Sequence, residues 1–375
     1  MRLLHVELED FRNFERARLH LGRELSALVG ENGQGKTNAL EALYLLSALR
    51  PLRSVSRRAL VRSGVDTARI RAEVRSEASG LTHQLEIRVE GGRRTLLRDE
   101  KVVPASDFLG TLVTVAFTPD DLQLAKAGPD GRRRFLDRAL LNARPSYLGV
   151  ALRYAKAMKD RNRLLATEGS DAELDAFDHI LARDGARIVE ARRALVDRFA
   201  PAVAARFAAI ADPAPTLTLS YRSSVPPGDA SLEARLLEAL GERRARDRRR
   251  GTTGVGPHVD DLVFTLGGGA AKERASQGQH RALVLALKLT EIEDLGALLG
   301  EAPVLLLDDM SSELDRARTT QLFDAVRELE GQVLLTSTTP AEELHRTIAA
   351  GRELVAQRVT AGVLSPPETY APETP

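Results

Sequence analysis

The run Gly30-Glu31-Asn32-Gly33-Gln34-Gly35-Lys36-Thr37 fits the pattern G-x-x-x-x-G-K-[ST]. Its surroundings are the ones that pattern needs. A short apolar run, Leu25 to Val29, precedes it, and a segment with Leu40, Leu43, Tyr44 and Leu46 at helical spacing follows before Pro51. Glycines let the backbone curl until successive N–H groups face phosphate oxygens, and the helix N-terminus adds its dipole. Lys36 then reads as a point charge between β- and γ-phosphates, and the Thr37 hydroxyl as a ligand of Mg²⁺.

A second feature completes that chemistry. Val304-Leu305-Leu306-Leu307-Asp308-Asp309 is an apolar strand that ends in two carboxylates, and ligands of open parallel sheets bind at such strand ends. Asp308 is placed for the metal, directly or through water; Asp309 is placed to orient or deprotonate an attacking water. Aspartate is one methylene shorter than glutamate, so slow hydrolysis is expected. Ser276-Gln277-Gly278-Gln279 opens a predicted helix. Serine and glycine there serve an anion or simply cap the helix, and both readings stand for the residues alone.

Strands alternating with helices predict a largely parallel α/β sheet. The N-terminal third is strand-rich, with runs at 4–8, 16–21, 25–29, 70–74, 85–89 and 112–117. From about Pro119 to Asp212 apolar residues recur every three or four positions, with breaks at Pro145, Gly169-Ser170 and Pro213 to Pro215, so several packed helices are expected and no coiled-coil arm. Strands at 216–221, 259–266, 304–307 and 333–336 and helices at 231–250, 276–295 and 319–329 follow. The expected division is an N-terminal part of the head at 1–118, a mainly helical lobe at 119–250, a C-terminal part of the head at 251–365, and a disordered, proline-rich tail at 366–375.

Composition narrows the partners. The 375 residues hold 54 Lys+Arg against 53 Asp+Glu, so any polyanion site has to be a local patch. Cysteine is absent, which excludes disulfides, thiol nucleophiles and Cys-ligated metals and fits a reducing, cytoplasmic setting. No apolar run reaches the length of a membrane span, and the N-terminus lacks the pattern of a secretion signal, so no membrane role is expected. Aromatic residues make up 4% and tryptophan is absent, leaving little material for stacked-base platforms; duplex phosphates fit better. Arginine clusters occur at Arg50, Arg53, Arg57 and Arg58, at Arg132, Arg133 and Arg134, and at Arg243, Arg244, Arg246 and Arg248 to Arg250. His258 with Asp260 and Asp261 lacks a second histidine and reads as structural or interfacial and not as a metal site.

The chain resembles the SMC-like ABC ATPases and, within them, the RecF recombination-mediator family. The motifs that carry this run nearly end to end: Phe11-Arg12-Asn13-Phe14, Gly30 to Asn38, Phe117 to Leu122, Gly131 to Asp137, Arg161 to Leu165, Gly256-Pro257-His258, Ser276 to Gln279 and Leu305 to Asp315. The resemblance implies an ABC-type P-loop ATPase head, lobe I, with an inserted mainly helical lobe II. It further implies a homodimer in which ATP on one P-loop is capped by Ser276 and Gly278 of the second copy. Ser312 to Asp315 would form the loop crossing between subunits, Thr336 to Thr338 the γ-phosphate switch, and Arg12 and Asn13 nucleotide contacts.

Duplex DNA near single-strand gaps is the implied substrate, gripped by Arg53, Arg57 and Arg58 beside the P-loop helix and by Arg132 and Arg133, with RecR as partner and RecO and RecA reached indirectly. Val259 stands where the family has a basic residue, and Gln123 is the candidate for the Q-loop glutamine. A transporter ATPase subunit and an SMC-type tether share the head motifs. The first needs a membrane partner and a clear Q-loop and switch histidine; the second needs a longer, unbroken insert.

Overall fold

The alternation expected at the N-terminus becomes a ten-residue strand that buries Leu3, Val6, Leu8 and Phe11, its alternation interrupted by a register irregularity between Leu3 and His5. The computed structural model describes residues 1–52, 57–167, 169–211, 214–309, 320, 324, 331–349 and 352–371. In chain order the strands and helices begin with β1 (Arg2–Phe11), β2 (Phe14–His20), β3 (Leu25–Val29), α1 (Lys36–Ala48), β4 (Thr67–Arg75), β5 (Thr82–Glu90), β6 (Arg93–Arg98) and β7 (Lys101–Val102). Next come α2 (Ala105–Phe108), β8 (Thr114–Phe117), α3 (Pro129–Ala143), α4 (Tyr147–Ala166), α5 (Asp171–Ile210), β9 (Leu217–Arg222), α6 (Leu232–Arg250), β10 (Asp261–Leu266) and β11 (Gly269–Ala270). The chain continues with α7 (Ala271–Arg274), α8 (Gln277–Leu299), β12 (Val304–Asp308), β13 (Val333–Ser337), β14 (Leu354–Thr360), β15 (Val363–Leu364) and β16 (Glu368–Tyr370).

Contacts divide the chain into two units, 1–122 with 287–375, and 123–286. The first holds two sheets. One has the order β15-β14-β3-β13-β12-β8, in which β14, β3, β13, β12 and β8 are mutually parallel. Every residue of β3, β12, β13 and β8 is buried, which is why these strands read as unbroken apolar runs. The C-terminal ends of β3, β13 and β12 lie side by side, and the chain leaves β3 directly into the glycine loop. The other sheet, β2-β1-β4-β5-β6-β7, is antiparallel; Leu3, Val6, Leu8, Ile70, Ala72 and Val74 are buried, while Glu7, Glu9, Arg69 and Arg71 pair across its outer face. The hairpin strands β6 and β7 were not among the sequence expectations. Gly91 and Gly92, both with left-handed φ, turn β5 into β6.

The second unit is mainly helical. Breaks expected at Pro145 and Gly169-Ser170 fall between α3, α4 and α5, and the 40-residue α5 opens on a reciprocal capping box between Ser170 and Glu173. Arg161, fully buried, donates to Asp178 on α5 (2.6 Å), Asp247 on α6 (2.9 Å) and Thr253 (3.0 Å), so one guanidinium ties three segments. A buried arginine is tolerable only with its charge met and its donors used, and here two carboxylates meet it.

Two boundaries differ from expectation. Residues 251–286 group with the helical insert and not with the C-terminal part of the head, because β10 pairs antiparallel with β9 along six residues. The tail is ordered at its start: Glu368–Tyr370 pairs with β14, whose outer edge offers unmatched backbone groups. The helix expected at 319–329 lies outside the described residues except for Thr320 and Asp324, as do residues 372–375. None of the described helices is long and apolar enough to cross a membrane.

Candidate nucleotide site

The glycine loop leaves β3 and closes at the N-terminus of α1. Gly33 and Gly35 hold φ of 81° and 115°, left-handed values that exclude most side chains. At Gly35 a Cβ would also lie 2.5 Å from Asn13 Nδ2, so the close approach requires glycine twice over. Lys36 is buried and its ammonium donates to the carbonyls of Gly30 (2.6 Å) and Glu31 (2.9 Å), lying across the mouth of the loop. Burial lowers its pKa from the ordinary lysine value, and the charges of Asp309 and Asp308 pull it back up. Glu31 and Asn32 are exposed at the loop tip.

Beside this ammonium the ends of β12 and β13 deliver oxygen atoms. Thr37 Oγ1 donates to Asp308 Oδ1 at 2.9 Å, and Thr336 Oγ1 donates to the same oxygen at 2.8 Å. Thr336 Oγ1 in turn accepts from the Asp309 backbone N–H at 3.0 Å. Asp309 takes a left-handed φ of 47°, a conformation aspartate tolerates better than most residues. The chain thus brings together Lys36 and Thr37 from the start of α1, Asp308 and Asp309 from the end of β12, and Thr336 from β13. Hard oxygens from one hydroxyl and one carboxylate, without a larger protein cage, suit Mg²⁺, which is held by few side chains plus phosphates and water. Among the described residues no cluster of three or more His, Cys, Asp or Glu offers an alternative metal centre.

Arg12 and Asn13 support the loop. Asn13 Nδ2 donates to Gln34 O (2.9 Å) and its Oδ1 accepts from Asn38 Nδ2 (2.8 Å). Arg12 binds the buried Glu41 through Nε (2.7 Å) and donates to Ala59 O (2.8 Å). Both polar ends of the Asn13 amide and most of the Arg12 fork are thus engaged by protein groups that shape and brace the loop. Sequence reasoning missed the other support: the turn after β14, where Ala361 N donates to Gln34 Oε1 (2.6 Å) and Gly362 N to Gln34 O (3.0 Å). No local signal marks it, since it meets the loop only in the folded sheet.

The remaining candidates fall elsewhere. Ser276 and Gln279 form a reciprocal capping box, Gln279 N donating to Ser276 Oγ (3.1 Å) and Ser276 N to Gln279 Oε1 (2.9 Å). The capping reading is therefore the one seen within a single chain; Ser276 and Gln277 remain exposed at the start of α8, with Gly278 half-buried. Thr336 spends its hydroxyl on Asp308, whereas Thr338 is exposed. Asp315 lies outside the described residues, as does Arg53; the side chain of Arg57 is likewise not described, and Arg58 is exposed.

Arg132 and Arg133 are not available to DNA as read from the sequence. Arg132 is buried in a bidentate pair with Asp261 (2.7 and 2.9 Å), and Arg133 binds Asp130 and the Asp260 carbonyl. His258 is structural, bridging Tyr154 Oη (2.7 Å) and Thr253 O (2.8 Å).

Sequence comparison accords with this geometry. A model of the RecF/RecN/SMC N terminal domain matches residues 2–351. The DNA replication and repair protein RecF of Anaeromyxobacter sp. (strain K) is 45% identical over 377 residues, covering 98% of this chain and 99% of that protein. Among solved structures, the recombination mediator protein RecF-ATP of the RecFOR pathway superposes with a TM-score of 0.86 at 28% identity, covering 98% of this chain and 97% of that one. The Smc head domain of Pyrococcus furiosus, at 17% identity and a TM-score of 0.56 over 98% of this chain and 96% of its own, shares the ABC-type head fold. By motif order, extent and fold, the chain belongs to the RecF family.

Proposed function

We propose that this chain binds ATP and Mg²⁺ at the loop Gly30 to Asn38, pairs with a second copy through that nucleotide, and in the paired state holds duplex DNA near single-strand gaps. The observation that carries the reading is the convergence of Thr37 and Thr336 on one oxygen of Asp308, beside the buried Lys36 ammonium. Lys36 would exchange its two backbone carbonyls for phosphate oxygens. Thr37 and Asp308 would hold the metal, and Thr336, donating to Asp308 Oδ1, would hold that carboxylate in place. Bound Mg²⁺ would neutralise charge on the phosphate oxygens. Asp309 would orient or deprotonate the attacking water; its short side chain makes turnover slow, so ATP acts as a timed latch.

The second copy would supply Ser276, Gln277, Gly278 and Gln279 to the phosphates and Asp315 to the crossing loop, with Thr338 sensing the γ-phosphate. Relatives solved with nucleotide support the ATP assignment. The RecFOR pathway of that relative supports RecR as a direct partner in the cytoplasm, with RecO and RecA further along.

Titration with a fluorescent ATP analogue, with and without Mg²⁺, tests the site. Lys36→Ala removes a charge-assisted contact of roughly 1.5–3 kcal/mol and is expected to weaken binding about 10- to 100-fold. Asp308→Asn is expected to abolish the Mg²⁺ dependence while leaving metal-free binding nearly intact. Unchanged titrations in both variants would show that nucleotide does not bind there.

A further inference from the structure

Helices α4 and α6 end side by side. Arg161 Nη1 lies 2.9 Å from Asp247 Oδ2, and Thr253 donates through N (2.8 Å) and Oγ1 (2.7 Å) to Asn162 Oδ1. A Cβ on Gly251 would sit 3.8 Å from that of Ala166, so the last turns of both helices share one surface of the helical unit.

The arginine run of α6, continuous in sequence, is sorted by the fold into inward and outward groups. Arg244 and Arg248 turn to Asp171, Asp175 and Asp178 of α5, and Arg243 donates to Gly254 O at 2.8 Å. Arg246, Arg249 and Arg250 are exposed and make no ion pair or hydrogen bond among the described residues. On α4, Lys156 and Lys159 are exposed, and Arg163 joins them at i, i+3 and i+7, the spacing of one helix face. Arg163 is 74% exposed, with Asp160 3.8 Å away, a surface pair worth little. The nearby Asp247 is buried on Arg161 and offsets nothing at the surface.

Cations in a last helical turn are ordinarily explained by the helix dipole. That accounts for Arg249 and Arg250. It does not account for Lys156, Lys159 or Arg246, which stand at least one turn back, beyond the reach of the dipole effect. The α4 row alone spans about 10 Å at 1.5 Å per residue, long enough to meet several phosphates of one strand. The tyrosines of α4, Tyr147 and Tyr154, are buried, so the surface has no ring from this helix on which an unpaired base could stack.

We propose that the paired C-terminal ends of α4 and α6 form a contact surface for the phosphate backbone of duplex DNA. The inference rests on the duplex-binding reading above and gives it a location. Affinity from such a surface is independent of sequence and steeply dependent on salt, each lost phosphate contact removing about 0.9 from the slope of log K against log salt.

The test measures duplex binding with ATP and Mg²⁺ over a salt series for wild type, for Arg246→Gln/Arg249→Gln/Arg250→Gln, and for Lys159→Gln/Arg163→Gln, with polyglutamate as a second probe. All positions are exposed, and nucleotide binding serves as the control for folding. The expected result is a shallower salt slope in both variants, by up to about 2.7 in the triple variant, with ATP binding unchanged. Wild-type slopes in both variants would overturn the surface while leaving duplex binding itself standing. If wild type fails to bind duplex at all, the underlying reading fails and this one with it. Polyglutamate held by wild type as tightly as duplex, and lost in the same variants, would overturn the proposal in favour of an acidic protein partner.

Discussion

Asn13 shows what a single amide contributes to a phosphate loop. One end donates to Gln34 O, the other accepts from Asn38, and its own carbonyl lies 2.1 Å from where a Cβ on Gly362 would stand. Glycine at 35 and 362 lets the backbones close on this residue. The loop itself was legible from its glycines, lysine and threonine, since curled backbone and phosphate charge demand those residue types at that spacing. Its support was not, because Asn13 and Gly362 meet only through the folded sheet. The resemblance assigned Asn13 to nucleotide; the fold adds its hold on the loop itself. Asn13→Ala removes two hydrogen bonds of about 1 kcal/mol each, so ATP affinity is expected to fall up to roughly thirtyfold. Asn13→Asp keeps the acceptor for Asn38 and should fall between the two. Equal affinity in all three proteins, measured by the same titration, would show that the loop sets its own shape.

At the level of elements, the apolar strands were readable because burial on both faces leaves no alternation to misread. Breaks between α3, α4 and α5 were readable from proline, glycine and a capping serine. Where β10 belongs was not, since antiparallel pairing with β9 depends on a partner far back in the chain; nor was β16, whose pairing overrides a proline-rich composition. The connection from α6 to β10 turns on His258, held between Tyr154 and Thr253. Burial holds this ring below the usual imidazole range, and Arg133 adds to that, while the Thr253 carbonyl, Asp260 and Asp247 oppose it. The unfolded chain therefore binds a proton that the native state resists. Stability from the neutral ring is complete above the unfolded value of about 6.5 and declines as pH falls through the folded value. His258→Gln, which keeps one donor and one acceptor, is expected to flatten the loss of stability between about pH 6.5 and 5 in urea unfolding. Carboxylates held low, such as Asp184 and Glu301, act below that window. A slope in the variant equal to that of wild type would remove His258 from this role.

For the whole molecule, motif order along the chain was the most readable feature: loop, capped helix and acidic strand occur in the sequence typical of RecF-family heads. What a second copy contributes was readable only by resemblance, because Ser276 satisfies its own helix in the single chain. A capping serine accepts from its helix through Oγ and still has its O–H to donate, so on an exposed helix start it can donate to a phosphate oxygen without giving up the cap, and ATP bound by a second copy would recruit that donor. The most direct test is sedimentation of wild type and Ser276→Arg with and without ATP and Mg²⁺. Nucleotide-dependent dimers in wild type and monomers throughout in Ser276→Arg are the predicted result. Wild type that stays monomeric with ATP and Mg²⁺, or a Ser276→Arg variant that dimerises as readily, would contradict it.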